Sequence, residues 1–201
     1  MSDILKDSNS YNQASFSLSN RRRRLVWGVV YNFLFRVSPR PLHEWRSLLL
    51  RCFGAKIGKG VHVYPTARIW APWNLIIDDL ACLADDVDCY SMSTVHIGEM
   101  AIVSQGTYLC TGSHDYTSAN FQLFALPIDI GRKAWVCAQS FIGPGVQVGE
   151  GAVIGARSVV TKNMPAWMVC GGNPCKPIKP RIITRNDEQI DGNCDNTDIQ
   201  L

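Results

Sequence analysis

No stretch of this chain stays apolar long enough to cross a bilayer. The candidate, Leu25–Phe35, runs for 11 residues, whereas a spanning helix needs about 20, so it suits a packed or interfacial helix. Near Met1 no apolar run is followed by a small-residue cleavage site, and no secretory signal is expected. The eight cysteines include no Cys-x-x-Cys pair, which removes the zinc-ribbon and thioredoxin readings. All eight are therefore read as reduced thiols in a cytoplasm. Charge is scarce as well. Charged residues make up 18% and the net charge is +3, too little of one sign to argue for nucleic acid. Its placement is uneven: Arg21–Arg24 form a basic run, by itself an ordinary solvated arm, and Asp187, Glu188, Asp191, Asp195 and Asp198 make the end acidic. With 46% hydrophobic residues, the 201-residue chain has enough apolar matter for one cored domain.

What the sequence does have is a period. From Ile130 in steps of six come Val136, Ile142, Val148, Ile154 and Val160, all β-branched. Four residues after each of the first five stands a small one: Ala134, Ser140, Val146, Ala152 or Ser158. The frame extends upstream through Ile97–Ala101, Val103–Thr107 and Leu109–Ser113, and again through Ile57–Val61, Val63–Ala67, Ile77–Ala81 and Leu83–Val87, slipping near Leu75 and between Val95 and Ile97. Period six is neither the 3.6 of a helix nor the 2 of a strand. It describes a short strand, a corner and another strand, and it is too tightly punctuated for a β-sandwich, whose turns come every 8–12 residues. Three strands close one triangular coil of 18 residues, and coils stack as in other solenoids. The fold class is thus all-β, a left-handed parallel β-helix with N-terminal helices and a polar C-terminal tail. Cys89 takes an inward position, where a thiol acts as a small hydrophobe.

The divisions expected are a disordered arm over 1–20, a helical cap over 21–54, the prism over 55–171, a segment over 172–185 and a disordered acidic tail over 186–201. Leu25–Phe35 and His43–Phe53 read as the cap helices, which would cover the open strand edges of the first coil. The longest break in the repeat, 115–129, follows Thr111-Gly112-Ser113-His114 directly. A histidine at the root of an excursion loop could accept a proton from a hydroxyl, or be an ordinary corner histidine.

The segments LCTGSHDYTSANFQL, IGPGVQVGEGAVIGARSVVTKNMPAW and GNPCKPIKPR resemble the sugar O-acetyltransferases of the hexapeptide superfamily, the branch of galactoside, maltose and nodulation-factor acetyltransferases. Within it they are similar to the acetyltransferases of colanic acid and exopolysaccharide biosynthesis. The likeness covers roughly residues 25–183 and is most specific over 97–182. It implies transfer of acetyl from acetyl-CoA to a saccharide hydroxyl, without metal, in a homotrimer whose acyl site lies between two prisms. His114 matches the family's general base. Ala138 and Ala156 match the lining of the pantetheine groove, with Trp135 at the acyl end and Thr161 and Lys162 in the last full repeat. Lys176 and Lys179 match the residues that meet the nucleotide phosphates, against the plainer reading of a solvated basic tail. Asp88 and Tyr90 resemble the acceptor-facing segment, and either could equally be corner structure. The group that orients His114 stays open between Asp115, Asp88 and a backbone carbonyl.

The basic, aromatic N-terminus (Arg21–Arg24, Trp27, Tyr31, Phe33, Phe35) points to a lipid-linked acceptor and peripheral contact with the inner face of a membrane. N-acetylation of an amino sugar and a non-catalytic trimeric scaffold are the competing readings. A zinc-dependent carbonic anhydrase on the same prism needs converging histidines, and only His62, His96 and His114 lie in the repeats, without His-x4-His spacing. Because 96 and 114 are 18 residues apart, His96 is expected one strand spacing, about 4.8 Å, beneath His114. There it would either disfavour protonation of His114 or hydrogen-bond the corner.

Overall fold

In the computed structural model, which describes Ile4 and residues 11–183, the repeat folds into three walls of parallel strands. The first wall stacks Lys56–Ile57, Leu75–Ile77, Val95–Ile97, Ile128–Ile130 and Gln147–Val148. The second begins with His62–Val63 and Cys82–Leu83, continues through Ile102–Val103, Trp135–Val136 and Val153–Ile154, and ends in the hairpin Met168–Gly171/Lys176–Pro180. The third stacks Arg68–Ile69, Asp88–Tyr90, Tyr108–Cys110, Phe141–Ile142 and Val159–Val160. Each wall sends one column of aliphatics inward. Ile77, Ile97 and Ile130 form the first column, Leu83, Val103 and Val136 the second, Cys89, Leu109 and Ile142 the third, and all are buried. The small residues of the frame are buried at the corners, Ala134 and Ser140 among them. Truncating one such core aliphatic to alanine costs about 2–5 kcal/mol.

The corners need left-handed backbone. Between the first and second walls Leu80, Met100 and Lys133 stand with φ near +60° (60°, 57° and 56°), in one column with Gly60 and Gly151 at 63°. In return each turns its N–H to the coil beside it, as Leu80 does to Lys59 O at 2.8 Å and Lys133 to Glu99 O at 2.8 Å. Corner strain is thereby matched by coil-to-coil hydrogen bonds.

The N-terminal region departs from expectation. Helix α1 (Leu18–Val30) starts before residue 21, with Ser17 Oγ accepting from Asn20 N at 3.2 Å as its N-cap, and continues as a π-helical turn over Tyr31–Phe35. Helix α2 spans His43–Cys52. Residues 11–17 are not a free arm: Phe16 packs on Trp70 with ring centroids 5.1 Å apart. Asn20, Arg24, Trp27, Tyr31 and Phe35 make the inner stripe of α1 and its extension, and Trp27 Nε1–H donates to Ile69 O at 2.7 Å. The arginine run is only partly a solvated arm, since Arg23 lies 4.0 Å over Trp73 and Arg24 4.4 Å over Trp70. The expected acidic tail lies outside the described residues.

Candidate active site

The prism opens once. After Cys110 the chain leaves the third wall, forms the antiparallel hairpin Gly112–His114/Leu123–Ala125, and re-enters the first wall at Ile128. Thr111 fastens the exit: it is buried, its hydroxyl donates to Tyr90 O at 2.8 Å, and its carbonyl accepts from Leu126 N at 2.9 Å. Ser113, placed inward by the repeat, is exposed on the hairpin instead.

His114 stands at the end of the first hairpin strand. Its ring stacks on Phe121, centroids 4.6 Å apart and 11° between planes, and Nδ1 lies 2.9 Å from Phe121 O. A carbonyl only accepts, so Nδ1 carries the proton and the neutral ring keeps its lone pair on Nε2. The orienting group is therefore this backbone carbonyl. Asp115 is occupied elsewhere, accepting from Thr117 N at 3.0 Å and Thr117 Oγ1 at 2.6 Å.

A cavity of about 450 Å³ adjoins the imidazole and is lined by Phe16, Arg21, Arg24, Tyr90, Met92 and Leu123 as well as His114. Tyr90 is thus brought to the histidine, and burial raises its phenol above the usual range. Asp88 is not in this cavity. It lies in the neighbouring one, 3.6 Å from Arg68. The helix residues Arg21 and Arg24 were not anticipated as site residues. For Arg24 the spacing of Asn20, Arg24, Trp27, Tyr31 and Phe35 is the signal, since a 4-3-4-4 step marks one packed helix face; Arg21 lies off that face and has no such signal.

His96 does not lie beneath His114. Its strand pairs with Ile76 on one side and Asp129 on the other, because the prism resumes only at Ile128. Its Nε2 is 2.8 Å from Asp78 Oδ2 and its Nδ1 2.7 Å from Asp129 Oδ1. Burial alone would lower its pKa, but the two carboxylates outweigh that and raise it. His62 stacks instead on His43. The three prism histidines do not converge.

Of the matched donor residues, Trp135, Ala138, Ala156, Lys176 and Lys179 lie along the second wall and the corner after it, away from the His114 hairpin. Trp135 is on the outer face of the second wall, its Nε1–H donating to Ser104 Oγ at 2.9 Å. Ala138 and Ala156 share the corner after that wall, where Arg157 N meets Ala138 O at 2.9 Å. Lys176 pairs with Gly171 and Lys179 with Val169, with a register slip between Val169 and Cys170 that leaves both lysines on one side of the end hairpin. Both are exposed, and neither is in an ion pair among the described residues. Thr161 and Lys162, also exposed, follow Val159–Val160 at the corner between the third and first walls. One chain therefore brings together His114 and Tyr90, but not His114 with Trp135, Ala138, Ala156, Lys176 and Lys179. Small corner residues and two free cations on one face fit a pantetheine arm and its phosphates. Burial raises the thiols of Cys82, Cys137, Cys170 and Cys175 above the ordinary range and pushes Cys89 up to about 12, which disfavours their thiolates.

A sequence profile of the bacterial transferase hexapeptide (six repeats) matches residues 127–162. The colanic acid biosynthesis acetyltransferase WcaF of Escherichia coli K12 is 46% identical over 159 residues, 79% of this chain and 87% of that protein. Galactoside O-acetyltransferase of the same organism is 32% identical over 151 residues, 68% of each chain. Among solved structures, a hexapeptide-repeat acetyltransferase of Vibrio cholerae O1 biovar eltor, complexed with acetyl-CoA, superposes with a TM-score of 0.75 at 20% identity, covering 83% of this chain and 91% of that one.

Proposed function

The chain belongs to the hexapeptide-repeat acetyltransferases, and from that premise we propose that it moves an acetyl group from acetyl-CoA to a saccharide hydroxyl in the synthesis of an exopolysaccharide or surface polysaccharide. The observation that carries this is the His114 tautomer: Nδ1 donates to Phe121 O, which leaves Nε2 as an acceptor beside a cavity. There it can take the proton of a hydroxyl as that oxygen bonds to the acetyl carbon, and return it to the departing thiolate. Acetyl-CoA supplies the activated thioester. Tyr90 borders the acceptor. Asp88 in the adjoining cavity is assigned to the acceptor side through that cavity. Trp135, Ala138 and Ala156 hold the arm, and Lys176 and Lys179 meet the phosphates. Thr161 and Lys162, at a different corner, are assigned to the donor by the family match alone.

The working unit proposed is a homotrimer. His114 lies on a different side of one prism from Trp135, Ala138, Ala156, Lys176 and Lys179, so a site that uses them together needs the donor face of a second copy. An acceptor on a lipid carrier would place the protein at a membrane, and α1 and α2 suit that. Among the described residues no helix is long and apolar enough to cross one. Leu25, Val29, Phe33 and Val37 form an exposed row, joined to Leu42, Trp45 and Leu48 where Trp45 Nε1–H donates to Leu34 O at 3.1 Å. From Leu18 to Cys52 the sequence holds eight arginines and one carboxylate, Glu44; Arg46 is buried and Arg40 pairs with Asp85, and the remaining excess of positive charge complements an anionic lipid surface. Phe33 is the aromatic of that row; Trp27, Tyr31 and Phe35 face inward and are excluded from it.

The test is a screen of saccharides for acceptor-dependent thiol release from acetyl-CoA, with the product treated with hydroxylamine. An ester that hydroxylamine cleaves supports O-transfer. A resistant amide supports N-acetylation, and no release with any saccharide contradicts the proposal.

A further inference from the structure

Beside the His114 cavity lies a larger one, of about 740 Å³, between α1 and the outer face of the third wall. The two adjoin along a common wall that includes Arg24 and Tyr90. A single sugar ring presented to His114 needs only the smaller one. Along the larger one runs a ladder of aromatic rings on successive coils. Trp70 meets Tyr90 at 5.6 Å and 74°, and Tyr90 meets Tyr108 at 6.3 Å. Half-buried rings of this kind offer apolar faces together with polar tips. The lining also carries cations. Arg24 and Arg36 come from α1 and the turn after it, and Arg68 from the wall. The lining carboxylates are Asp86 and Asp88, of which Asp88 stands 3.6 Å from Arg68. Among the described residues neither Arg24 nor Arg36 has a carboxylate within ion-pair distance.

We propose that this cleft is a second acceptor subsite, which holds the sugar units next to the one acetylated and takes a chain carrying a carboxylate or phosphate there. It rests on the saccharide reading of the His114 cavity. The aromatic ladder covers sugar-ring faces, as apolar clefts with a few placed polar groups do for other ligands. The guanidinium of Arg36, with no carboxylate within ion-pair distance among the described residues, and that of Arg68, with a long one, match the planar geometry of carboxylate or phosphate oxygens. A uronate unit and the pyrophosphate of a lipid carrier would both meet that chemistry.

The experiment uses the CoA-loaded full chain and three probes: a neutral trisaccharide, the same trisaccharide ending in glucuronate, and its pyrophosphate ester. Binding is read by calorimetry in the wild type, Arg36→Ala and Arg68→Ala, both exposed positions. We expect at least one anionic probe to bind about tenfold more tightly than the neutral one, as charge-assisted contacts allow, and whichever binds better identifies the source of the anion. Either substitution should erase most of that preference, 0.5 M salt should weaken it, and CoA affinity should not move. Equal binding of neutral and anionic probes, or an unchanged preference in both variants, overturns the subsite alone. Failure of every saccharide to bind while CoA binds overturns the subsite and the saccharide reading together.

Discussion

The imidazole of His114 is held by the carbonyl of Phe121, so its orientation does not depend on a neighbouring carboxylate. Asp115→Ala should therefore cost far less in kcat than the roughly 10²–10⁴-fold of a missing general base. A loss of that size would show that Asp115 orients the ring. The lysines act on the donor. Lys176→Ala and Lys179→Ala should raise KM for acetyl-CoA on the order of tenfold, the scale of one charge-assisted hydrogen bond. Because both are exposed, melting should not change. An unchanged KM in both would place the nucleotide elsewhere. The sequence singled out His114 and Tyr90, and the fold brings the two to one cavity. The orienter was not legible there, because a carbonyl seven residues away leaves no mark in side-chain identity.

Among the elements, the first wall carries a clamp that couples three coils, with His96 between Asp78 and Asp129. Both ring nitrogens face carboxylate oxygens, a setting that favours the doubly protonated ring, since both nitrogens can then donate. The folded pKa is raised above the ordinary value of about 6.5. The clamp's stability is therefore complete below that value and is lost as pH rises through the folded pKa. The wild type should lose melting temperature between neutral and alkaline pH by more than His96→Asn does. Identical pH dependence in the two would remove the clamp. The outer stripe of α1 makes a second claim of this size. Wild type should co-sediment with vesicles containing phosphatidylglycerol, and the double substitution Val29→Ser and Phe33→Ser should largely abolish this without loss of fold. Equal binding by both would show that the stripe does not touch lipid. The misplaced partner of His96 has a definite cause. Thr111, Gly112 and Ser113 are as small as true corner residues, so the frame reads through the point where the chain leaves the prism. The aromatics of α1 and its extension divide by face at helical spacing, with Trp27, Tyr31 and Phe35 inward and Phe33 outward.

For the whole molecule, the six-residue period carried the walls and their inward columns, because inward packing tolerates few residue types. It could not say how copies associate, since outward residues answer to partners that the repeat does not encode. If the site joins the hairpin of one copy to the second wall of another, co-expressed His114→Ala and Ala156→Trp chains should form mixed oligomers with activity that neither parent has. No recovery would confine the site to one chain. The most direct test of the account is kcat for acetyl transfer in His114→Ala, with oligomeric state and CoA affinity measured on the same sample. The expected result is intact assembly and unchanged CoA binding with a fall in kcat of roughly 10²–10⁴-fold. A variant that keeps more than about a tenth of the wild-type rate would contradict His114 as the general base.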